Sequence, residues 1–191
     1  DRDRHLLVQV GWHREVKDVL FSLDVLARLR DHDPRYRLRL IGQGLPAASG
    51  ADGSYRRRVR ARLAELGPAA VEMLGRRDDV PALLADSGVI LSSSRPEGTH
   101  ESVMEGLAAG CPAVIRDWPD AAPYGGPATL YEADWVVADV EDAVQRVLDL
   151  SEPERHAEES RRARRFALAH RDPDELVAAY ERALTGDPAA A

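Results

Sequence analysis

Strand-like and helix-like segments alternate along most of the chain, and this order restricts the possible folds more than any other feature. The apolar run from His5 to Gly11 indicates a buried strand, and helical spacing follows it from Val19 to Arg30. A strand pattern returns at Tyr36 to Ile41 and at Val89 to Leu91. Alternation of this kind builds a parallel sheet with helices on both faces. We therefore predict a Rossmann-like α/β fold with an open parallel sheet of about six strands.

The other element boundaries follow from residues that end helices or suit their first turn. Asp33-Pro34, Gly67-Pro68 and Gly110 each stop a helical pattern. Pro81 falls in the first turn of a short helix, where the missing N–H of proline costs nothing. The further predicted strands are 71–74, 112–115 and 129–137, and the further predicted helices are 54–66, 79–85, 101–109, 140–150, 153–170 and 173–184.

The size and composition of the chain favour one globular domain. Its 191 residues suit a single well-filled core, so we predict one domain over residues 1–191, with the last helices, about 153–184, packing back on the sheet. The composition, 44% hydrophobic and 31% charged, is ordinary for such a domain. No stretch reaches the roughly 18 consecutive apolar residues of a membrane span, and residues 1–4 lack the apolar core of a secretory signal.

The net charge limits the classes of binding partner, and the single cysteine bears on the cellular compartment. A formal net charge of −7 argues against nucleic acid, whose binding relies on neutralised phosphates. Arginine runs at 56–62 and 161–165 lie in helical stretches that also carry glutamates. They favour solvated helix faces, with weak contact to an anionic membrane surface as the alternative. Cys111 has no disulfide partner, so we expect a buried thiol in a cytoplasmic protein, with the inner face of the membrane as a second location.

In open sheets of this type a ligand binds beyond the carboxyl ends of the strands, near the point where the strand order reverses. The loops at that edge are 11–18, 42–54, 75–79, 92–101 and 116–126. One of them, Gly42-Gln43-Gly44-Leu45-Pro46-Ala47, matches the G-x-G-x-x-A pattern of dinucleotide sites. That pattern needs a helix to begin at once, so that its first amides reach the pyrophosphate. Because residues 46–50 indicate a loop, we interpret the segment as a tight turn.

The stretch 92–112 carries the strongest chemical signal. Its helical part turns one apolar stripe toward the core, formed by Val103, Met104, Leu107 and Ala108. Glu105 is adjacent to this stripe, so we expect it at the edge of the core, where an ionised carboxylate needs polar partners. Glu97 lies eight positions earlier, which lets both carboxylates face one cleft. The helix start between them offers unpaired N–H groups to a phosphate. Together these groups could bind a sugar, a diphosphate and a ribose.

This stretch resembles a known family. Glu97, seven further residues and then Glu105-Gly106-Leu107-Ala108-Ala109-Gly110-Cys111-Pro112 resemble the paired-glutamate motif of retaining glycosyltransferases with the GT-B fold. That family includes relatives of sucrose and glycogen synthase and many bacterial polysaccharide enzymes. Other landmarks occur in the family's order, namely Val10-Gly11 followed by Lys17, then Ile41-Gly42-Gln43-Gly44, then Leu74-Gly75-Arg76. The resemblance spans most of the chain.

The resemblance implies a role for each matching residue. Glu97, as the catalytic residue, would contact the donor sugar, and Glu105 would accept hydrogen bonds from the ribose hydroxyls. Lys17 would neutralise the diphosphate. The backbone around Arg76 would contact the base. Amides of the loop and helix start would meet the sugar and the phosphate, at Gly98, Thr99, His100 and Glu101.

The family also implies the ligand and the chemistry. The donor would be a nucleotide-diphosphate sugar, transferred with retention by front-face displacement. No metal and no other cofactor is required by this mechanism. The implied fold has two Rossmann-like halves with the donor on the C-terminal half, and the chain resembles that half.

The sequence departs from the family at several positions. Trp12 stands where a phosphate-binding arginine is frequent, and Arg14 is the nearest substitute. Thr99-His100 and Glu101-Ser102 also replace residues that are common in the family. His100 could donate to a sugar hydroxyl or a phosphate, cap its own helix or face solvent. Trp118, in a loop at the same edge, could form a wall of the sugar site or simply pack in the core.

We therefore expect the donor-binding domain of a retaining hexosyltransferase that works in cell-surface polysaccharide or glycoconjugate synthesis. Its acceptor domain would lie N-terminal to residue 1, so this chain alone is expected to be inactive. The alternatives are a GT-B-fold nucleotide-sugar epimerase or phosphorylase, or a non-catalytic α/β regulatory module. A receiver-like module would carry acids at the end of its first strand, where this chain has Val10-Gly11-Trp12-His13. The base, the sugar, the acceptor and the oligomeric state stay open.

Overall fold

Six parallel strands form one open sheet in the order β3-β2-β1-β4-β5-β6. The computed structural model describes residues 2–45, 53–98, 100–170 and 173–185. The strands are β1 (Asp3–Val10), β2 (Arg37–Ile41), β3 (Val71–Gly75), β4 (Ser87–Ser92), β5 (Ala113–Arg116) and β6 (Val136–Val137). The strand order reverses between β1 and β4, so the carboxyl ends of these two strands mark the switch point of the sheet.

Helices cover both faces of the sheet and confirm the predicted fold class. They are α1 (Val19–His32), α2 (Gly53–Leu66), α3 (Val80–Asp86), α4 (Glu101–Ala108), α5 (Val140–Asp149), α6 (Pro153–His170) and α7 (Pro173–Thr185). Successive strand residues point to opposite faces. Leu7 accordingly packs with α1, α2 and α5, whereas Val8 packs with α3, α4 and α6. The two apolar clusters hold the sheet between two helical layers.

The predicted boundaries agree with the observed ones to within two residues, with one exception. The predicted strand 129–137 is wrong over most of its length, because only Val136–Val137 pairs with β5. Residues Pro127–Thr129 and Ala133–Trp135 are 3-10 turns. The Thr129 hydroxyl donates to the carbonyl of Gly126 at 2.8 Å, and this local bond favours a turn over extended backbone.

The described part of the glycine-rich segment after β2 is not helical. Residues Gly42 to Leu45 lie outside any helix, and the next described helix is α2. Gly42 has a φ of +106° and donates its N–H to the carbonyl of Gly75 at 2.7 Å. Residues 46–50 of the predicted loop lie outside the described part of the chain, so the tight turn stays a prediction.

The chain returns to the sheet through α6, which packs on α4. Ser160 on α6 donates to the carbonyl of Gly110 at 2.6 Å, and the His156 ring lies 2.8 Å from the carbonyl of Gly88. On α7 three large apolar side chains are exposed, Val177, Tyr180 and Leu184. Among the described residues, no helix is long and apolar enough to cross a membrane.

Cys111 is a packing residue, as predicted. Its side chain is fully buried, and its Sγ donates to the carbonyl of Ser87 at 3.3 Å. Burial raises the pKa of the Cys111 thiol to about 12, so the thiolate is not formed at neutral pH.

Candidate functional site

Two of the predicted loops lie side by side at the switch point of the sheet. The loop after β1 and the loop after β4 are joined by a hydrogen bond from the Arg95 N–H to the carbonyl of Val16, at 2.9 Å. The Ser93 hydroxyl also donates to the carbonyl of Lys17 at 2.6 Å. Because parallel strands end at the same edge, loops that are distant in sequence meet here.

Lys17 and Glu97 form the centre of this region. The Lys17 ammonium pairs directly with Oε1 of Glu97, and the Ser94 hydroxyl donates to the same oxygen at 2.6 Å. The two charged side chains are only 23% and 15% exposed, so water screens their attraction less than at an open surface. Burial alone would raise the pKa of Glu97, but the hydrogen bonds from Lys17 and Ser94 lower it below its usual value. Glu97 is therefore ionised at neutral pH.

Glycine and a short turn bring Lys17 to this position. Gly11 has a φ of +79°, a conformation that glycine adopts without strain, and its N–H donates to the carbonyl of Ile41 at 2.8 Å. The chain then forms a 3-10 turn over Glu15–Lys17 before α1 begins. The Gln9 amide donates to the carbonyl of Lys17 at 3.3 Å and ties the turn back to β1.

His100 lies behind the ion pair at the start of α4. Its Nε2 is 2.8 Å from the Ser92 hydroxyl and 3.9 Å from Oε1 of Glu97. The ring packs against Trp118 and Tyr131, with centroid separations of 5.8 Å and 6.2 Å. Burial lowers the pKa of His100 to about 4, so the ring is neutral at pH 7. Its Nδ1 is buried and has no hydrogen-bond partner among the described residues.

These contacts decide between the alternatives that the sequence left open for His100 and Trp118. The His100 side chain is buried and makes no capping bond to α4, so neither a solvent-facing ring nor a side-chain cap is correct. Only the backbone carbonyl of His100 acts at the helix start, where it accepts from the N–H of Val103 at 3.0 Å. Trp118 is buried in the apolar cluster beneath α4, which supports the alternative of ordinary core packing.

Glu105 lies on the outer face of α4, which corrects the prediction of a residue at the edge of the core. Its side chain is exposed, whereas Val103 and Leu107 are buried. Gly106 explains this orientation, because a Cβ at that position would lie 2.7 Å from the Ile90 side chain. The helix therefore rests closely on β4 with its Gly106 side, and position 105 points away from the sheet.

The outer face of α4 borders a groove that we call the α4–α6 groove. It encloses about 380 Å³ and is lined by Glu101, Met104, Glu105, Ala108, Arg164, Ala167 and Leu168. Carboxylates stand beside an apolar floor formed by Met104, Ala108 and Leu168. The described contacts do not join Glu105 to the Lys17–Glu97 pair, and the single cleft for both carboxylates stays a prediction.

The remaining predicted site residues are at the surface. Arg14, Arg76, Gly98 and Glu101 are all exposed. The carbonyl of Arg14 accepts the N–H of Lys17 at 3.0 Å and so closes the 3-10 turn. Thr99 lies outside the described residues. Within the described part of the chain, no group of three or more His, Cys, Asp or Glu side chains is arranged to hold a metal ion.

Sequence reasoning missed a second charged group next to Lys17. Arg116, at the end of β5, donates to Oδ2 of Asp18 at 2.6 Å, and the Tyr55 hydroxyl lies 3.3 Å from Oδ1. All three residues border a cavity of about 420 Å³ that is also lined by Arg58 and Arg95. The sequence shows only that an acid, Asp18, lies where a turn joins a helix. It does not indicate which arginine forms an ion pair with this acid.

The sequence of the chain matches a known protein family. The sequence model of the family described as Glycosyl transferases group 1 matches residues 4–152. A curated relative, Glycosyltransferase 1 domain-containing protein 1 of Xenopus tropicalis, is 25% identical over 115 residues. That match covers 60% of this chain and 32% of the relative.

Solved structures share the fold. HepE of Anabaena in complex with UDP has a TM-score of 0.79 and 18% identity, covering 95% of this chain and 49% of that one. TarM, a protein of S. aureus, has a TM-score of 0.77 and 13% identity, covering 95% and 35%. WaaG, a glycosyltransferase involved in lipopolysaccharide biosynthesis, has a TM-score of 0.64 and 24% identity, covering 85% and 42%. This chain thus spans less than half the length of each, and the likeness shows the fold.

Proposed function

Because the chain belongs to the glycosyl transferases group 1 family, we propose that it is the part of a glycosyltransferase that binds the nucleotide-sugar donor. The observation that carries this proposal is the Lys17–Glu97 pair at the β1/β4 switch point. A cation for a phosphate and a carboxylate for sugar hydroxyls stand side by side where an open α/β sheet binds its ligand.

Lys17 suits the diphosphate. It is the one lysine among 26 lysine and arginine residues, so this composition uses arginine wherever a general positive charge serves. An ammonium is a compact point charge, which fits a crowded diphosphate better than a wide guanidinium fork does. The start of α4 adds N–H groups and the positive end of a helix dipole on the other side of Glu97.

Glu97 and Glu105 serve different parts of the donor. Glu97 accepts hydrogen bonds from the transferred sugar, because its carboxylate is ionised and held beside Lys17. Glu105 accepts from the ribose hydroxyls, and the apolar floor of the α4–α6 groove receives the nucleoside. Carboxylates that accept from hydroxyls bind more strongly than neutral acceptors do.

The wider reaction is the retaining transfer of a hexose-type sugar, without a required metal or cofactor, in the synthesis of a cell-surface polysaccharide or glycoconjugate. The names of solved neighbours support this assignment. HepE is crystallised with UDP-glucose, the pneumococcal O-GlcNAc transferase GtfA with UDP and GlcNAc, and WaaG acts in lipopolysaccharide biosynthesis. We place the protein in the cytoplasm, with weak contact to the inner membrane face through its basic helix surfaces.

A panel of nucleotides tests the donor site. Thermal unfolding of the chain would be followed with UDP, GDP and ADP, each at millimolar concentration. A ligand at about 100 times its Kd stabilises the folded state by about 2.7 kcal/mol, which is easily measured. We expect at least one nucleotide to raise the unfolding temperature. The Lys17→Ala variant is the matched control and should respond less. No response to any nucleotide would contradict the proposal.

The chain on its own should transfer no sugar. The relatives that share its fold are two to three times longer, and we propose that the remainder supplies the acceptor site. Positioning of the acceptor and exclusion of water account for a large share of the rate in such enzymes. The assay is transfer from a nucleotide sugar by the purified chain, with a Glu97→Gln/Glu105→Gln double variant as the background. Transfer above that background would contradict this expectation.

A further inference from the structure

Two residues other than glycine have left-handed backbone in the described part of the chain, and they flank the Lys17–Glu97 pair. Asp18 has a φ of 35° and follows Lys17 directly, while His100 has a φ of 49° and lies three residues after Glu97. Side chains with a Cβ rarely adopt this conformation. Such strain persists only where the surrounding structure holds it, and it occurs most often at functional sites.

The contacts around Asp18 show what holds its turn. Arg116 donates to its carboxylate at 2.6 Å, and the Tyr55 hydroxyl lies 3.3 Å from the other oxygen. The guanidinium carbon of Arg116 also lies 4.7 Å from the centre of the Phe21 ring. Asp18 and Arg116 are only 16% and 18% exposed, so their pairing is well shielded from solvent. Burial and the charge of Asp18 both raise the pKa of Tyr55, which keeps its hydroxyl protonated as a donor.

The same group reaches the backbone of Lys17. Asp18 donates its N–H to the carbonyl of Glu15 at 2.8 Å and so closes the 3-10 turn that ends at Lys17. Arg116 lies 3.4 Å from the carbonyl of Ser93, and the Ser93 hydroxyl donates to the carbonyl of Lys17. Arg116 therefore links the end of β5, the loop after β4 and the turn that carries Lys17.

We propose that Asp18 and Arg116 are positioning residues that hold Lys17 toward the diphosphate of the donor. This inference rests on the diphosphate role proposed for Lys17. In this proposal Arg116 acts on the turn and not on the phosphate, because its guanidinium both pairs with Asp18 and packs on Phe21, whereas the Lys17 ammonium has Glu97 as its partner at the loop. Its effect reaches the ligand through the conformation of the turn.

The central experiment replaces Asp18 by glycine. Glycine adopts the left-handed conformation without strain, so Asp18→Gly keeps the turn accessible, while the loss of the shielded pair with Arg116 should lower the unfolding temperature. It removes the anchor to Arg116, so the turn also visits other conformations. We expect the affinity for the best nucleoside diphosphate of the panel to fall about fivefold to tenfold, a usual size for coupled neighbouring residues. Affinity for the matching nucleoside should stay unchanged. A structural role alone would not separate these two ligands.

A double-variant cycle with Lys17→Ala then tests whether Asp18 acts through Lys17. If it does, Asp18→Gly/Lys17→Ala should bind the diphosphate no more weakly than Lys17→Ala alone, whereas independent residues would give additive losses. Arg116→Lys, which keeps the charge but loses the planar fork, should reproduce part of the Asp18→Gly loss. Arg39→Gln serves as the control, because Arg39 forms a comparable pair with Glu72 between β2 and β3, at 2.7 Å.

The outcomes separate this inference from the proposed function. Loss of diphosphate affinity in Asp18→Gly that disappears in the Lys17→Ala background supports positioning. Unchanged affinity in Asp18→Gly, or an additive loss, overturns the inference while leaving Lys17 in place. Tighter diphosphate binding by Asp18→Gly also overturns it, because a released Arg116 would then be binding phosphate directly. If Lys17→Ala itself loses nothing, the proposed function fails, and the positioning role fails with it.

Discussion

Glu97 and Glu105 are eight residues apart in one motif, yet their surroundings differ in almost every respect. Glu97 is largely buried, accepts from Lys17 and Ser94 and lies beside the neutral ring of His100. Glu105 is exposed on the outer face of α4, at the border of the α4–α6 groove. The first carboxylate has its partners before any ligand arrives. The second has an orientation fixed only by the helix that carries it.

This difference separates two ways of preparing a binding site. The charges and hydrogen bonds around Glu97 are part of the fold, so we expect a substitution there to change stability and binding together. Glu105 is exposed to water, so we expect a substitution there to change binding alone. The predictions below test this contrast, beginning with the largest effect.

The largest effect is expected from Lys17→Ala. A hydrogen bond to a charged group contributes about 1.5–3 kcal/mol, so the nucleoside diphosphate should bind roughly 10-fold to 100-fold more weakly. The bare nucleoside should bind almost as before, and Lys17→Arg should restore the diphosphate only in part. Calorimetry on the wild type, Lys17→Ala and Lys17→Arg measures the affinity of each protein for the nucleoside diphosphate and for the nucleoside. Added salt should also reduce the wild-type preference for the diphosphate. Equal losses for both ligands would make Lys17 structural, and no loss for either would remove it from the site.

The next effect concerns stability and pH in the Glu97 region. Burial lowers the pKa of His100 from 6.5 to about 4. Because the folded-state pKa is depressed, the unfolded chain takes up the proton first as the pH falls. The contribution of the neutral His100 to the unfolding free energy is therefore complete above pH 6.5 and is lost as the pH falls toward 4. At pH 5 the loss amounts to about 2 kcal/mol of unfolding free energy.

Urea unfolding at pH 7 and pH 5 measures this loss. His100→Asn removes the titrating ring and keeps a residue that tolerates the left-handed conformation, so its stability should fall less between the two pH values. His13→Gln is the control, because His13 is exposed and its replacement should leave the pH dependence of the wild type intact. If His100→Asn loses as much stability on acidification as the wild type does, the buried ring is not the cause.

A smaller effect is expected from Glu105→Gln in the α4–α6 groove. Loss of one charge-assisted bond to the ribose should weaken nucleoside and diphosphate alike, by about tenfold. The unfolding temperature should not change, because the side chain is exposed. Glu158→Gln, at an exposed position on α6, is the matched control. Wild-type affinity of Glu105→Gln for both ligands would remove the ribose role, and a lowered unfolding temperature would contradict the contrast with Glu97.

The sequence predicted the layers of this fold better than the surroundings of its site. Periodicity and helix-ending residues are local signals, and they located α1, α4 and α6 closely. The error at 129–137 arose because a side-chain bond from Thr129 competes with extended backbone, which periodicity does not detect.

The sequence offered candidate site residues, whose roles stay predictions, but it did not indicate how they are arranged. The spacing of Glu97 and Glu105 gave the motif, but the orientation of Glu105 depends on Gly106 lying against Ile90 across the helix–sheet contact. The pairing of Asp18 with Arg116 joins positions 98 residues apart, and no local pattern indicates it. The burial of His100 likewise depends on Trp118 and Tyr131, which come from later loops.

The smallest effect, and the one that separates the two glutamates most sharply, is expected from Glu97→Gln. In the free protein the Glu97 carboxylate is paired with the Lys17 ammonium. A diphosphate must therefore compete with Glu97 for Lys17, and it is also repelled by the negative charge of Glu97. Glutamine keeps the size and the hydrogen bond from Ser94 but removes the charge. Two consequences oppose each other, because Lys17 becomes available to phosphate while its side chain is less firmly held. We expect the release to prevail slightly, with the nucleoside diphosphate binding about twofold to threefold more tightly, in the range of a weak ion pair.

The nucleotide sugar should respond in the opposite direction to Glu97→Gln. Its sugar would lie against Glu97, so the loss of a charged acceptor should weaken it even as the bare diphosphate gains. Calorimetry with a nucleoside diphosphate and with the corresponding nucleotide sugar gives both values, and the nucleoside alone should be unaffected. Glu97 would thus favour the donor over the nucleoside diphosphate that remains after transfer, whereas Glu105 binds both equally through the ribose. A loss of diphosphate affinity as large as that of Lys17→Ala would instead show that Glu97 is needed to hold the lysine in place. Unchanged binding of both ligands would remove Glu97 from the donor site.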